Sequence, residues 1–117
     1  MVDLKAIPFC LDDAQVQWVE DTLADMTPDE KFGQLFVLLK ATPGVDEEKI
    51  KTMLERYHQG GLRWQGGGKE TVYLQNTTYQ KHSKIPLLVA ANCDDGGCGA
   101  VPEGTFVATA AECGAGG

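Results

Sequence analysis

The chain has 117 residues, of which 43% are hydrophobic and 23% charged. That is one domain's worth of ordinary globular composition, which excludes a wholly disordered chain and leaves room for a modest core. Ten basic against 17 acidic residues give a net charge of −7, which argues against nucleic-acid and membrane-surface partners, and no apolar run approaches the ~20 residues of a membrane helix.

Positions 1–20 contain Asp3, Asp12, Asp13 and Glu20 and no long apolar core, so no secretory signal is read there. From Asp13, Val16, Val19, Leu23 and Met26 step by three and four, one face of a helix. Thr27-Pro28-Asp29-Glu30 is a helix start: Thr27 caps, Pro28 takes the first position, Glu30 completes a capping box, and Gly33 ends the short helix. Phe36 to Leu39 is an unbroken apolar run, which suits a strand buried on both faces. After the loop Ala41 to Gly44, Asp46 opens the clearest helix, with Ile50, Met53, Leu54 and Tyr57 on one face and Gly60 as its C′ residue.

Leu62-Arg63-Trp64 reads as a short strand, Gln65 to Gly68 as a glycine-rich loop, and Lys69 to His82 as a helix with a weak apolar stripe. Ile85 to Ala91 is a further buried strand. Residues 85–117 hold no Lys or Arg and half of the 14 glycines. They predict a long loop from Asn92 to about Thr105, a short helix near 108–113 and a frayed end. Strands alternating with helices imply an α/β fold with a parallel sheet of about three strands. That pattern fits a small complete domain or the first part of a (β/α)8 TIM barrel, which needs ~250 residues.

Gly66-Gly67-Gly68-Lys69-Glu70 follows a strand and opens a helix, the setting of a phosphate loop. Thr71 stands where a dinucleotide fingerprint needs its third glycine, and Glu70 where a P-loop needs Ser or Thr. Asn92-Cys93-Asp94-Asp95-Gly96-Gly97-Cys98-Gly99 follows the last strand, where α/β folds place ligands. Asp94 and Asp95 are neighbours and point apart in extended chain, so they suit one pocket-facing group and one turn-forming group better than a catalytic pair. The four cysteines, at 10, 93, 98 and 113, lack zinc-site spacing. They are expected as free thiols in a cytoplasmic protein, the alternative being a Cys93–Cys98 disulfide in an oxidising compartment. His58 and His82 sit near helix ends, where the dipole favours them. Of the two tryptophans, Trp64, beside the glycine loop, is the better sugar-stacking candidate. No motif calls for a cofactor or a metal.

Several segments together resemble glycoside hydrolase family 3. Asp25 to Phe36 (DMTPDEKFGQLF) is similar to the family's opening motif, Gly60-Gly61-Leu62 to its second strand, and Gln75-Asn76 with Gln80 to the helix that follows. Ile85 to Asn92 (IPLLVAAN) is similar to its third strand, followed by Gly104-Thr105-Phe106 and Ala111. The resemblance spans about residues 22–117, in order. It implies that residues 1–117 are the N-terminal portion of a TIM-barrel glycosidase of β-glucosidase or β-N-acetylhexosaminidase type, acting by double displacement on a carbohydrate. At the end of strand three the family carries an Asp that contacts the terminal sugar, and Asn92 holds that position here. The nucleophile and the acid/base lie downstream in the family and match nothing in this chain.

The expected substrate-binding residues are therefore Asn92, Asp94 and Asp95, then Trp64 and Arg63, each near the carboxyl end of a strand. Alone, the chain is expected to be inactive and to associate with itself through open sheet edges. A stand-alone sugar-binding or interaction module, and a small α/β domain binding an anion at Gly66–Gly68, are the alternatives.

Overall fold

A computed structural model describes residues 2–40, 46–64 and 67–116. The expected loop Ala41 to Gly44 and the start of the glycine-rich loop, Gln65-Gly66, lie outside the described residues. In chain order the elements are α1 (Asp13–Asp25), α2 (Pro28–Gly33), β1 (Val37–Lys40), α3 (Glu47–Tyr57), β2 (Gly61–Trp64), α4 (Lys69–His82), β3 (Leu88–Ala91) and α5 (Ala110–Ala115), with a 3-10 turn at Gly97–Gly99. The strands form one parallel sheet in the order β1-β2-β3, and helices α3 and α4 link them in sequence. This arrangement is a partial (β/α)8 barrel, one of the two architectures that the alternation left open and the one that the resemblance implied.

Local chemistry accounts for the helix starts. Asp12 accepts from the Gln15 amide and Gln15 from the Asp12 amide at α1, and the Thr27–Glu30 capping box opens α2 as read. The Asp46 carboxylate caps α3. A box of Thr109 with Glu112 starts α5 two residues later than expected. The end of α3 differs from expectation. The left-handed residue that stops the helix is His58, at φ 48°, and not Gly60. His82 does more than sit on a helix end: its Nε2 lies 2.6 Å from Glu47 Oε1 and ties α4 to α3.

The core lies on one side of the sheet, under α3 and α4. Ile50 and Leu54 of α3, Tyr79 of α4, and Leu62, Trp64 and Leu87 form it. The α4 polar residues complete it. Asn76 Oδ1 accepts from the Trp64 indole at 2.7 Å. Gln80 both donates to the Leu87 carbonyl and accepts from its amide, at 2.9 and 3.0 Å, and so holds the chain entering β3. A buried backbone and a buried indole each need such a partner.

The expected burial of two strands on both faces is overturned. Val37 and Leu39 are 52% and 53% exposed and Leu88 is 75% exposed. These side chains share the sheet face opposite the helices, and among the described residues nothing covers it. The apolar stripe of α1 is likewise mostly unburied: Leu23 is exposed, and only Met26, just past the helix, is buried. The molecule is an open slab of 52 × 40 × 21 Å with a radius of gyration of 17.7 Å, against about 13 Å for a compact domain of this length.

Candidate functional site

Parallel register decides which candidate residues meet. Gly61, Arg63, Leu88 and Ala90 alternate with Leu62, Trp64, Val89 and Ala91 across β2 and β3. Leu62 and Trp64 turn into the helix layer, so Arg63 is on the open face. Asn92 follows β3 two residues after Ala90, the register partner of Arg63. The Arg63 Nη2 donates to Asn92 Oδ1 at 2.7 Å, across 29 residues of sequence. The carboxyl ends of two adjacent strands thus carry one charge-assisted hydrogen bond.

Trp64 is not part of this surface. It is 4% exposed and its ring belongs to the core cluster. The expectation of a sugar-stacking platform there is overturned, because pleating sends neighbouring side chains of a strand to opposite faces.

The loop after Asn92 is a folded turn. Gly96 donates to the Cys93 carbonyl at 3.1 Å, and Gly96 bridges Phe106 in antiparallel fashion. Asp95 is half-buried, and its carbonyl accepts from the Val107 amide at 2.7 Å and from the Cys98 thiol at 3.1 Å. Asp94 is exposed on the same turn. Asp95 thus enters the turn through its backbone carbonyl, and Asp94 is exposed to solvent. Two glycines allow this path. Gly96 has φ 97°, and a Cβ on Gly99 would lie 2.1 Å from the Asn92 carbonyl oxygen. Burial, then the Asp95 carboxylate, push the Cys98 thiol pKa up, which keeps it protonated and unreactive. All four cysteines are free thiols.

Glu103 was not singled out by the sequence. Its carboxylate accepts from the Lys69 amide at 3.1 Å and so caps α4, whose N-cap, Gly68, has no side chain to do it. The partners are 34 residues apart, and no local pattern signals the contact. The same contact displaces the anion-site reading of Gly66–Gly68, since the chain's own carboxylate already occupies the helix start. Among the described residues no group of three His, Cys, Asp or Glu side chains is placed to hold a metal ion. A cleft of about 210 Å³ lined by Gln34, His58, His82 and Lys84 lies at the opposite, amino ends of the strands. No helix among the described residues is long and apolar enough to cross a membrane.

No protein-family model matches the chain. Over 107 residues the sequence is 39% identical to a beta-N-acetylglucosaminidase/beta-glucosidase from Cellulomonas fimi, covering 92% of this chain and 19% of that protein. The fold is similar to beta-glucoside phosphorylase BglX bound to 2FGlc, with a TM-score of 0.77 and 32% identity over 90% of this chain and 19% of that one. A second structure of beta-glucoside phosphorylase BglX gives a TM-score of 0.71 and 30% identity, over 90% of this chain and 18% of that one. The chain thus spans about a fifth of the length of these relatives. Both sequence and fold support the likeness to the N-terminal region of a family-3 glycosidase that the motifs suggested.

Proposed function

We propose that this chain is the N-terminal portion of a retaining glycoside hydrolase of family 3 that acts on terminal β-linked glucose or N-acetylhexosamine. The observation that carries the reading is the Arg63–Asn92 pair at the carboxyl ends of β2 and β3, in a chain 39% identical to a beta-N-acetylglucosaminidase/beta-glucosidase. Barrel enzymes bind substrate at that end. Asn92 contacts a sugar hydroxyl, Arg63 supports it, and Asp94 and Asp95 line the rim. The nucleophile and acid/base come from later strands, so this chain alone is inactive. Its free thiols suit a reducing, cytoplasmic setting. Alone, it self-associates through the uncovered sheet face and the outer edges of β1 and β3.

A second acceptor is favoured by the structural neighbours, which are beta-glucoside phosphorylases. The glycosyl group then passes to inorganic phosphate and not to water. One experiment tests both readings. The matching region of the Cellulomonas fimi enzyme is replaced by this chain, and the chimera is assayed on nitrophenyl β-glucoside and β-N-acetylglucosaminide with and without phosphate. Turnover lost in N92A supports the glycosidase reading, and phosphate dependence selects phosphorolysis. A folded chimera with no turnover of either substrate overturns it.

A further inference from the structure

Gln59 follows the left-handed residue His58 and leads into β2. Its side chain is 1% exposed, and its Oε1 has no hydrogen-bond partner among the described residues. The Nε2 donates to the Gly61 carbonyl at 3.4 Å, long against the usual figure of about 2.9 Å. Turning the amide over would set oxygen against oxygen there, so the orphan is the acceptor and what it lacks is a donor. A buried acceptor in that state is rare in a folded chain. Gln59 lines the cleft at the amino ends of the strands, between α2 and the ends of α3 and α4. On the same wall Gln34 spends its Nε2 on the His58 carbonyl at 2.8 Å, which leaves its amide oxygen as a second acceptor. Glu55 adds a carboxylate that forms no ion pair among the described residues. The positive groups nearby are already engaged: Lys84 with Asp25 and Glu30, His82 with Glu47, and Lys51, which Glu55 stabilises at longer range, with Glu48. The cleft thus offers oxygen acceptors and an unmatched negative charge.

We propose that this cleft is a binding site for a small organic cation that carries N–H donors, an alkylammonium or a guanidinium, from which Gln59 Oε1 and the Gln34 amide oxygen accept hydrogen bonds and whose charge Glu55 balances. The site does not rest on the glycosidase reading. At about 210 Å³ it is smaller than the roughly 300–1,000 Å³ of sites for drug-sized ligands, so its occupant has few heavy atoms. A guanidinium offers five donors and an ammonium three, enough for one molecule to serve Gln59 and Glu55 together. An anion would meet Glu30 and Glu55 and leave Gln59 still without a donor. A bare metal ion lacks ligands, since among the described residues no three His, Cys, Asp or Glu side chains are placed to hold one.

The test is a titration of the 117-residue chain with methylguanidinium, followed through the 15N-labelled side-chain amides of Gln59 and Gln34. Tetramethylammonium, which has the charge and no donor, and urea, which has donors and no charge, are run alongside. Methylguanidinium shifts both amides saturably, and each control binds about tenfold more weakly. Q59M removes the acceptor at nearly constant volume and weakens methylguanidinium binding about tenfold. E55Q, at an exposed position of α3, weakens it about threefold. Should Q59M fail to fold, E55Q and the two controls decide alone. Absence of a saturable shift, equal binding of methylguanidinium and tetramethylammonium, or an affinity unaltered in E55Q overturns the proposal. So does a long-lived water that no probe displaces, seen as water cross-peaks to the Gln59 amide, because the cleft is then a hydration site alone.

Discussion

Arg63 and Trp64 are adjacent in β2, and the pleat sends one to the open face and the other into the core. The Trp64 ring packs against the helices and its indole N–H is spent on Asn76. Replacing Trp64 by Phe removes ring volume and orphans Asn76, and is expected to lower stability by about 1–3 kcal/mol, read as a drop in the denaturant midpoint. Glu30 offers a second residue-scale prediction. The Thr27 amide, then the Lys84 ammonium, hold its pKa down to about 2, from the ordinary 4.5. A carboxyl lowered on folding contributes stability that is complete above its unfolded pKa and fades as pH falls through the folded one. Acid melts of the unchanged chain and E30Q should therefore differ most above pH 4.5 and converge toward pH 2. Parallel acid curves would show that Glu30 is not linked to folding.

At the scale of elements, the segment from Asn92 to Thr109 is where packing outweighs propensity. A Cβ at Gly99 meets the Asn92 carbonyl oxygen at 2.1 Å, so G99A must displace the end of β3. Loss of the Arg63–Asn92 contact, seen as mobility of the Asn92 side-chain amide, is the expected result. Glu103 stitches the same loop to α4 through the Lys69 amide. The E103Q variant keeps the shape but loses the charge that favours a helix start, at a cost of about 1 kcal/mol. Faster hydrogen exchange of the Lys69 amide is its specific signature. Helix α4 itself shows how polar residues in a family-like motif serve structure: Asn76 and Gln80 satisfy the Trp64 indole and the Leu87 backbone.

For the whole molecule the governing feature is the single helix layer. Leu39, Val37 and Leu88 face out on the side opposite that layer, and β1 and β3 each present an outer edge. Apolar sheet surface with unpaired backbone groups associates readily. Sedimentation should show assemblies that grow with concentration, and an ideal compact monomer at high concentration would argue against this. The purified chain should not hydrolyse nitrophenyl β-glycosides. Turnover that disappears on substitution of Asp94 or Asp95 would place the chemistry within these 117 residues after all.

The sequence by itself determined the starts of α2 and α3, since the Thr27–Glu30 capping box and the Asp46 cap are local chemistry, and the order of strands and helices, since periodicity is local too. It also pointed to the strand-end residues Arg63 and Asn92 one at a time. Only the tertiary structure decided that these two meet, that Trp64 is core, that His58 and not Gly60 ends α3, and that Glu103 caps α4. The physical reason is range. Propensity and capping act over a few residues, whereas sheet register and long-range hydrogen bonds join residues about 30 apart and depend on which faces the rest of the fold covers.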